Sequence, residues 1–236
     1  MTIPDPTLTH ALADADAALA ALIDVVRTLP DDAGAAPSPL DGWTRGHVLS
    51  HVANVGAALA RQAEYAARGE KVEPYDGGRA GRDAAIEAGA RRTAAEHLAA
   101  LETTRARLAA AWPDANDALW GAPVAYRDGV LADALLAWWR EARIHAVDAT
   151  AGLATEHGTA LGYASWDDAF CAHLDEFLAV RLPDGGAGLE LVGDRRDVAA
   201  WLAGRTPSGP VSATRDGAAV PLPELGPWPS SPAPKP

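Results

Sequence analysis

Apolar residues in the first part of the chain recur every three to four positions. Over residues 8–29 they fall at Leu12, Ala15, Leu19, Leu22, Ile23 and Val26, the stripe of one buried helix face. Pro30, Asp31 and Asp32 end that helix, and residues 34–39 read as loop. A second helix opens after Trp43, with Thr44 as its N-cap and Val48, Val52, Val55 and Leu59 as its buried stripe. Residues 69–81 are rich in turn formers and predict a flexible connection. A third helix is predicted over residues 82–112, carrying Ile86, Leu98, Leu101 and Leu108 and stopped by Pro113. After a loop with Trp120 and Pro123, a fourth helix covers residues 131–148. These four helices predict a mainly α fold: an N-terminal up-and-down four-helix bundle over residues 1–152.

The pattern then changes. A helix over residues 166–181 precedes Leu189-Glu190-Leu191-Val192, which alternates like a short strand. One more helix is expected over residues 197–202, ended by Gly204. Residues 210–214 and 218–222 read as two strands joined at Asp216-Gly217, a hairpin signal. Residues 153–236 are therefore expected to form a small α+β C-terminal domain with a Pro-rich tail too poor in core formers to fold alone. No internal repeat is evident.

Composition sharpens this. Of 236 residues, 48% are hydrophobic but only 6% aromatic, and Ala is abundant, which favours closely packed helices over a β-sandwich. A formal charge of -12 argues against nucleic acid as a partner. Cys171 is the only cysteine, so an intrachain disulfide and a thiolate metal cluster are both excluded. The N-terminus lacks a signal-peptide pattern, and no apolar run is long enough to span a bilayer. A cytoplasmic protein without a membrane partner is expected.

The chemistry concentrates in Trp138-Trp139-Arg140-Glu141-Ala142-Arg143-Ile144-His145-Ala146-Val147-Asp148. Glu141 and His145 are one turn apart on one helix face. A carboxylate and an imidazole held this way are two of the three ligands of a catalytic zinc-type site. The third would come from another helix, with the run from Gly46 to His51 as its source. By spacing alone the pair also fits a solvated i,i+4 contact, and either histidine a surface residue.

Residues 42–53, Gly-Trp-Thr-Arg-Gly-His-Val-Leu-Ser-His-Val-Ala, resemble the N-terminal signature of the mycothiol-dependent maleylpyruvate isomerase family, a branch of the DinB-like bundles. Residues 140–148 resemble its other ligand segment, and the Arg-Asp-x-x-Ile-Glu run at 82–87 also fits. Trp201-Leu202-Ala203-Gly204-Arg205 and Leu222-Pro223-Glu224-Leu225 are similar to its C-terminal domain. The resemblance implies His51, Glu141 and His145 as ligands of a divalent metal, zinc or zinc-like. It also implies mycothiol, or another low-molecular-weight thiol, as cofactor. In the family the thiolate adds to the cis double bond of maleylpyruvate, a single bond rotates, and elimination gives fumarylpyruvate.

A dicarboxylate substrate needs fixed cations. Arg82 is the first candidate and Arg79 its neighbour, while Arg205 or Arg215 would reach over from the C-terminal domain. Cys171 reads as a small buried hydrophobe. His47 is expected to serve the helix start rather than the metal. One of Trp138 and Trp139 is expected to face the core and the other the C-terminal domain. His97, His157 and His173 are expected at the surface. A mycothiol S-transferase shares the first chemical step, and a non-catalytic metal-binding bundle is the reading from a different class. The protein is expected as a monomer or small homo-oligomer.

Overall fold

In the computed structural model, which describes residues 6–114, 117–153 and 160–229, the apolar stripes become long helices. They are α1 (Pro6–Val26), α2 (Arg45–Ala66), α4 (Ala94–Ala111) and α5 (Leu131–Thr150), with a shorter α3 (Gly78–Gly89) on α2. α1 packs on α4 and α5, and α2 packs on the same two. Helices adjacent in sequence, α1 with α2 and α4 with α5, therefore stand diagonally across the bundle. The stripes close over a core holding Leu19, Leu22, Leu49, Leu59, Leu101, Leu131 and Leu135, all fully buried. No helix among the described residues is long and apolar enough to cross a membrane.

The single helix predicted over residues 82–112 is two. Thr93 and Glu96 form a capping box, with the Thr93 amide donating to Glu96 Oε2 at 2.8 Å and the Glu96 amide to Thr93 Oγ1 at 3.2 Å. This reciprocal cap starts α4 afresh and outcompetes continuation from α3. Gly89 at the end of α3 lies so close to α2 that a Cβ there would sit 2.2 Å from Ser50 Oγ.

The two tryptophans also differ from expectation, since both are buried. α5 lies between α1 and α2, so two successive positions both find packing partners. The Trp139 indole donates to Asp14 Oδ2 at 2.7 Å, and the Trp138 ring lies over Gly56.

A local repeat absent from the periodicity appears in the backbone. A 3₁₀ turn (Ala33–Ala35) and a bridge between Pro37 and Thr44 precede α2; a 3₁₀ turn (Ala118–Gly121) and a bridge between Pro123 and Val130 precede α5. The first helical amide donates to an Ala-Pro carbonyl each time, Arg45 to Ala36 at 2.8 Å and Leu131 to Ala122 at 2.9 Å. Both helices that carry the candidate ligands are launched by this device.

The chain divides into two compact units, Met1–Leu161 and Gly162–Pro236. The second contains α6 (Asp168–Leu178), α7 (Arg195–Leu202) and an antiparallel sheet in the order β1-β2-β3, from β1 (Leu189–Val192), β2 (Ser212–Arg215) and β3 (Ala218–Val220). Asp216 and Gly217, at φ 51° and 77°, make the β2–β3 turn, which is why glycine stands there. Trp166, Phe170, Leu174 and Leu178 form its core. Beyond β3 the described tail has no regular structure, but it is tied down: the Gly226 amide donates to the Arg181 carbonyl at 2.7 Å.

Candidate metal centre

The start of α2 is fixed by the residues around its cap. His47 Nδ1 accepts from the Thr44 amide at 3.1 Å, and its Nε2 lies 3.2 Å from Glu87 on α3. That turns the His47 ring away from α5 and toward α3. Arg45 is buried and donates to the carbonyls of Ala33, Ala149 and Ala151, so it ties the start of α2 to the end of α5. Gly46 meets the backbone of Ala90 so closely that a Cβ would lie 2.0 Å from its carbonyl oxygen. With both helices locked here, the second turn of α2 faces the middle of α5.

That contact brings His51, Glu141 and His145 together. His51 Nε2 is 2.9 Å and His145 Nε2 3.1 Å from the same oxygen, Glu141 Oε2. The two imidazoles are perpendicular, with centroids 4.8 Å apart, and one donor atom from each of the three side chains lies within 4.8 Å of the others. His145 Nδ1 is 2.8 Å from Asp148 Oδ2, a carboxylate buried on the same helix. Glu141 is 24% exposed at its side chain, so the cluster is reached from outside. Two imidazole nitrogens and a carboxylate oxygen, converging from rigid helices with one ring oriented by a second carboxylate, are a donor set that fits a zinc-like divalent cation.

The electrostatics are those of three groups forced close. Burial lowers the pKa of His51 more than the Glu141 carboxylate raises it. Burial also pushes His145 down, but hydrogen bonds to Asp148 and Glu141 outweigh it and carry His145 up to about 9. Glu141 is held well below the usual carboxylate range: burial opposes its charge, and the hydrogen bonds from the two histidines prevail. Glu141 is thus an anion, and a cationic His145 stands where a metal ion would supply the balancing charge.

Around this cluster lie groups that the sequence did not single out as part of a site. The Trp43 ring meets His51 edge-on at 5.5 Å and stacks on His47 at 6.1 Å. Burial pushes the pKa of the Tyr75 hydroxyl up to about 12, against the lowering charge of nearby Arg82. Burial likewise raises Tyr126, which feels the charges of Arg127, Glu141, Arg140 and Arg82. Both tyrosines come from connections rather than periodic helices. Asp148, by contrast, was legible: it stands three residues after His145 on one helix face.

Of the candidate cations, Arg82 reaches this cluster, with Nη2 3.4 Å from His51 Nδ1 and Nη1 2.8 Å from Asp83. Arg79 is almost wholly exposed, 3.8 Å from Asp83. Arg205 and Arg215 belong to the second unit; Arg205 follows α7 and donates to the Ala203 carbonyl at 2.8 Å, and Arg215 is exposed on β2. Cys171 is fully buried on α6, with its pKa pushed up to about 11 by burial, which is incompatible with a ready thiolate.

His97 is not a surface residue. It is 1% exposed on α4, and neither ring nitrogen has a hydrogen-bond partner among the described residues. It falls on the face of α4 that turns inward with Leu101, a position the sequence reading passed over for want of a ligand partner. His173 is half-buried and stacks on Phe177 at 6.2 Å. His157 lies outside the described residues.

A helical bundle with a three-donor cluster between two of its helices defines the class: a DinB-like fold with a candidate metal centre. The Mycothiol maleylpyruvate isomerase N-terminal domain family matches residues 15–150, more than half the chain, and the chain belongs to that family. Two solved structures share the fold. The crystal structure of a mycothiol-dependent maleylpyruvate isomerase superposes with a TM-score of 0.76 at 22% identity, covering 94% of this chain and 97% of that one. A histidine-to-alanine mutant of such an isomerase gives 0.75 at the same identity and coverage. Among curated proteins none matches.

Proposed function

We propose that this chain is a metal- and thiol-dependent enzyme whose reaction is cis–trans isomerisation of a maleylpyruvate-like enedioate. His51, Glu141 and His145 would hold the metal, zinc or zinc-like, with Asp148 keeping His145 Nε2 turned to the ion. When bound, the ion supplies Lewis acidity that keeps a mycothiol sulfur as thiolate at neutral pH.

The chain's own residues do the rest. Arg82 takes a substrate carboxylate. Tyr75, its pKa pushed up to about 12 by burial, stands near Arg82 as a neutral hydroxyl. Trp43 covers His51 and limits water at the donor cluster. Arg205 is a second candidate for substrate binding, from the sequence resemblance.

One observation carries this reading: two histidines and a glutamate from two helices meet within 4.8 Å in a chain of this family. Elemental analysis of untagged wild type and of His145→Ala tests it. About one zinc-like ion per chain, lost in the variant, is expected. No metal in wild type after incubation with zinc would sink the mechanism. Product analysis with mycothiol then separates isomerisation, in which the thiol is returned, from S-transfer to a halogenated electrophile, in which the adduct persists.

A further inference from the structure

Gln62 is 1% exposed on α2, on the helix that carries His51. The step from 51 to 62 is close to three full turns, so both side chains leave α2 on one face, about 16 Å apart along the axis. A carboxamide so completely buried must satisfy a donor and an acceptor. Gln62 satisfies both outside its own helix. Its Nε2 donates to the Val72 carbonyl at 2.9 Å, in the connection between α2 and α3. Its Oε1 accepts from the Tyr126 amide at 3.0 Å, in the connection between α4 and α5. One side chain therefore joins two segments that lie far apart in the chain.

These two segments carry the tyrosines beside the donor cluster. Tyr75 follows Val72 by three residues, and Tyr126 is itself the partner of Gln62. Both tyrosines lie in the field of Glu141 and Arg82, and Tyr75 also in that of Tyr126. The turn after Tyr126 is strained, with Arg127 and Asp128 both at left-handed φ, 53° and 51°. Such a conformation costs free energy in residues other than glycine and persists only where the surroundings impose it. The bond from Gln62 fixes the residue that precedes this pair. Its polarity selects glutamine: the Val72 oxygen needs a donor and the Tyr126 nitrogen an acceptor, and a carboxamide presents one of each. Methionine matches the length and offers neither. Asparagine offers both on a stem one methylene shorter.

We propose that Gln62 is a positioning residue of the site: it holds Tyr75 and Tyr126 as two polar walls of the approach to the His51, Glu141 and His145 cluster, where their hydroxyls contact the substrate. The proposal rests on the enzymatic reading above, in which an enedioate binds beside that cluster. Gln62 touches neither metal nor substrate and acts through the two tyrosines.

The chain has 4 tyrosines, so zinc-loaded protein labelled with 3-fluorotyrosine gives a fluorine NMR spectrum that single tyrosine-to-phenylalanine replacements assign. In Gln62→Met the Tyr75 and Tyr126 resonances should shift or broaden, while that of Tyr163, in the second unit, stays in place. Kinetics with mycothiol and a cis-enedioate should show KM raised about tenfold or more, with zinc content unchanged. A variant that is merely less folded loses kcat at constant KM instead. Gln62→Asn, able to keep one of the two bonds, should fall between wild type and Gln62→Met in both measurements. Unmoved Tyr75 and Tyr126 resonances in both variants, or moved resonances with KM unaltered, overturns the role of Gln62 and leaves the enzymatic reading standing. A wild type that holds zinc but converts no cis-enedioate overturns that reading, and this role of Gln62 with it.

Discussion

His145 Nδ1 and Asp148 Oδ2 lie 2.8 Å apart, one turn along α5, and this pair decides which imidazole nitrogen faces Glu141. When a metal ion displaces the Nε2 proton, the proton kept on Nδ1 and directed to Asp148 would leave the Nε2 lone pair facing the cluster. Asp148→Asn removes the charge but keeps the shape, and Asp148→Ala removes both. Zinc affinity, read by competition with a chromogenic chelator, should fall about 10- to 100-fold in the alanine variant and less in the asparagine variant. Unchanged affinity in both would show that Asp148 plays no part in orienting the ligand.

In the function proposed here Arg82 recognises substrate charge and does not hold metal. Arg82→Gln should leave zinc content at the wild-type level and raise KM for a dicarboxylate, lowering kcat/KM about 10- to 100-fold. A half-ester substrate lacking the recognised carboxylate should lose little more in the variant than in wild type. Equal losses on both substrates would mean that Arg82 acts through something other than that carboxylate.

How far the sequence carries depends on the range of the interaction involved. Thr44 at the start of α2 and Asp216-Gly217 between β2 and β3 are local signals, and the backbone follows them. The break between α3 and α4 was equally local, in Thr93-x-x-Glu96, but the apolar stripe on both sides masked it. Glu141 and His145 share a face by helix geometry alone. That His51 rather than His47 meets them depends on Arg45, Gly46 and Glu87, contacts between segments far apart in the chain. Trp138 and Trp139 were misjudged because periodicity assigns a helix one buried face, whereas α5 packs on both α1 and α2. Tyr75 and Tyr126 sit on connections whose path no periodicity dictates.

Gly46 is required by the close approach of two backbones. An added Cβ would lie 2.0 Å from the Ala90 oxygen and 3.2 Å from the Gly34 oxygen, and neither backbone can move without disturbing the α3–α4 junction or the turn before α2. Gly46→Ala should cost about 1–3 kcal/mol in urea unfolding through overpacking. Gly121→Ala, where the new methyl meets open space, serves as the control and should be close to neutral. A Gly46→Ala variant as stable as the control would show that this helix start yields more easily than the geometry indicates.

His97 should make stability depend on pH in a definite direction. Burial, with help from the nearby Arg92 charge and against Glu96, pushes its pKa from 6.5 down to about 4. The folded state therefore keeps the ring neutral where the unfolded chain takes up a proton. Above pH 6.5 the residue is neutral in both states and adds no pH dependence. As pH falls from 6.5 toward 4 the unfolded state gains protons first, so folding stability declines by up to about 3 kcal/mol. Replacement by His97→Leu removes the titration and also the two buried nitrogens that lack partners. Urea unfolding of both proteins from pH 4 to pH 8 isolates the effect, because the other titrating groups cancel in the difference. The advantage of the variant should widen steadily below pH 6.5 and stay constant above it; a gap independent of pH would place a charged or solvated His97 in the folded protein.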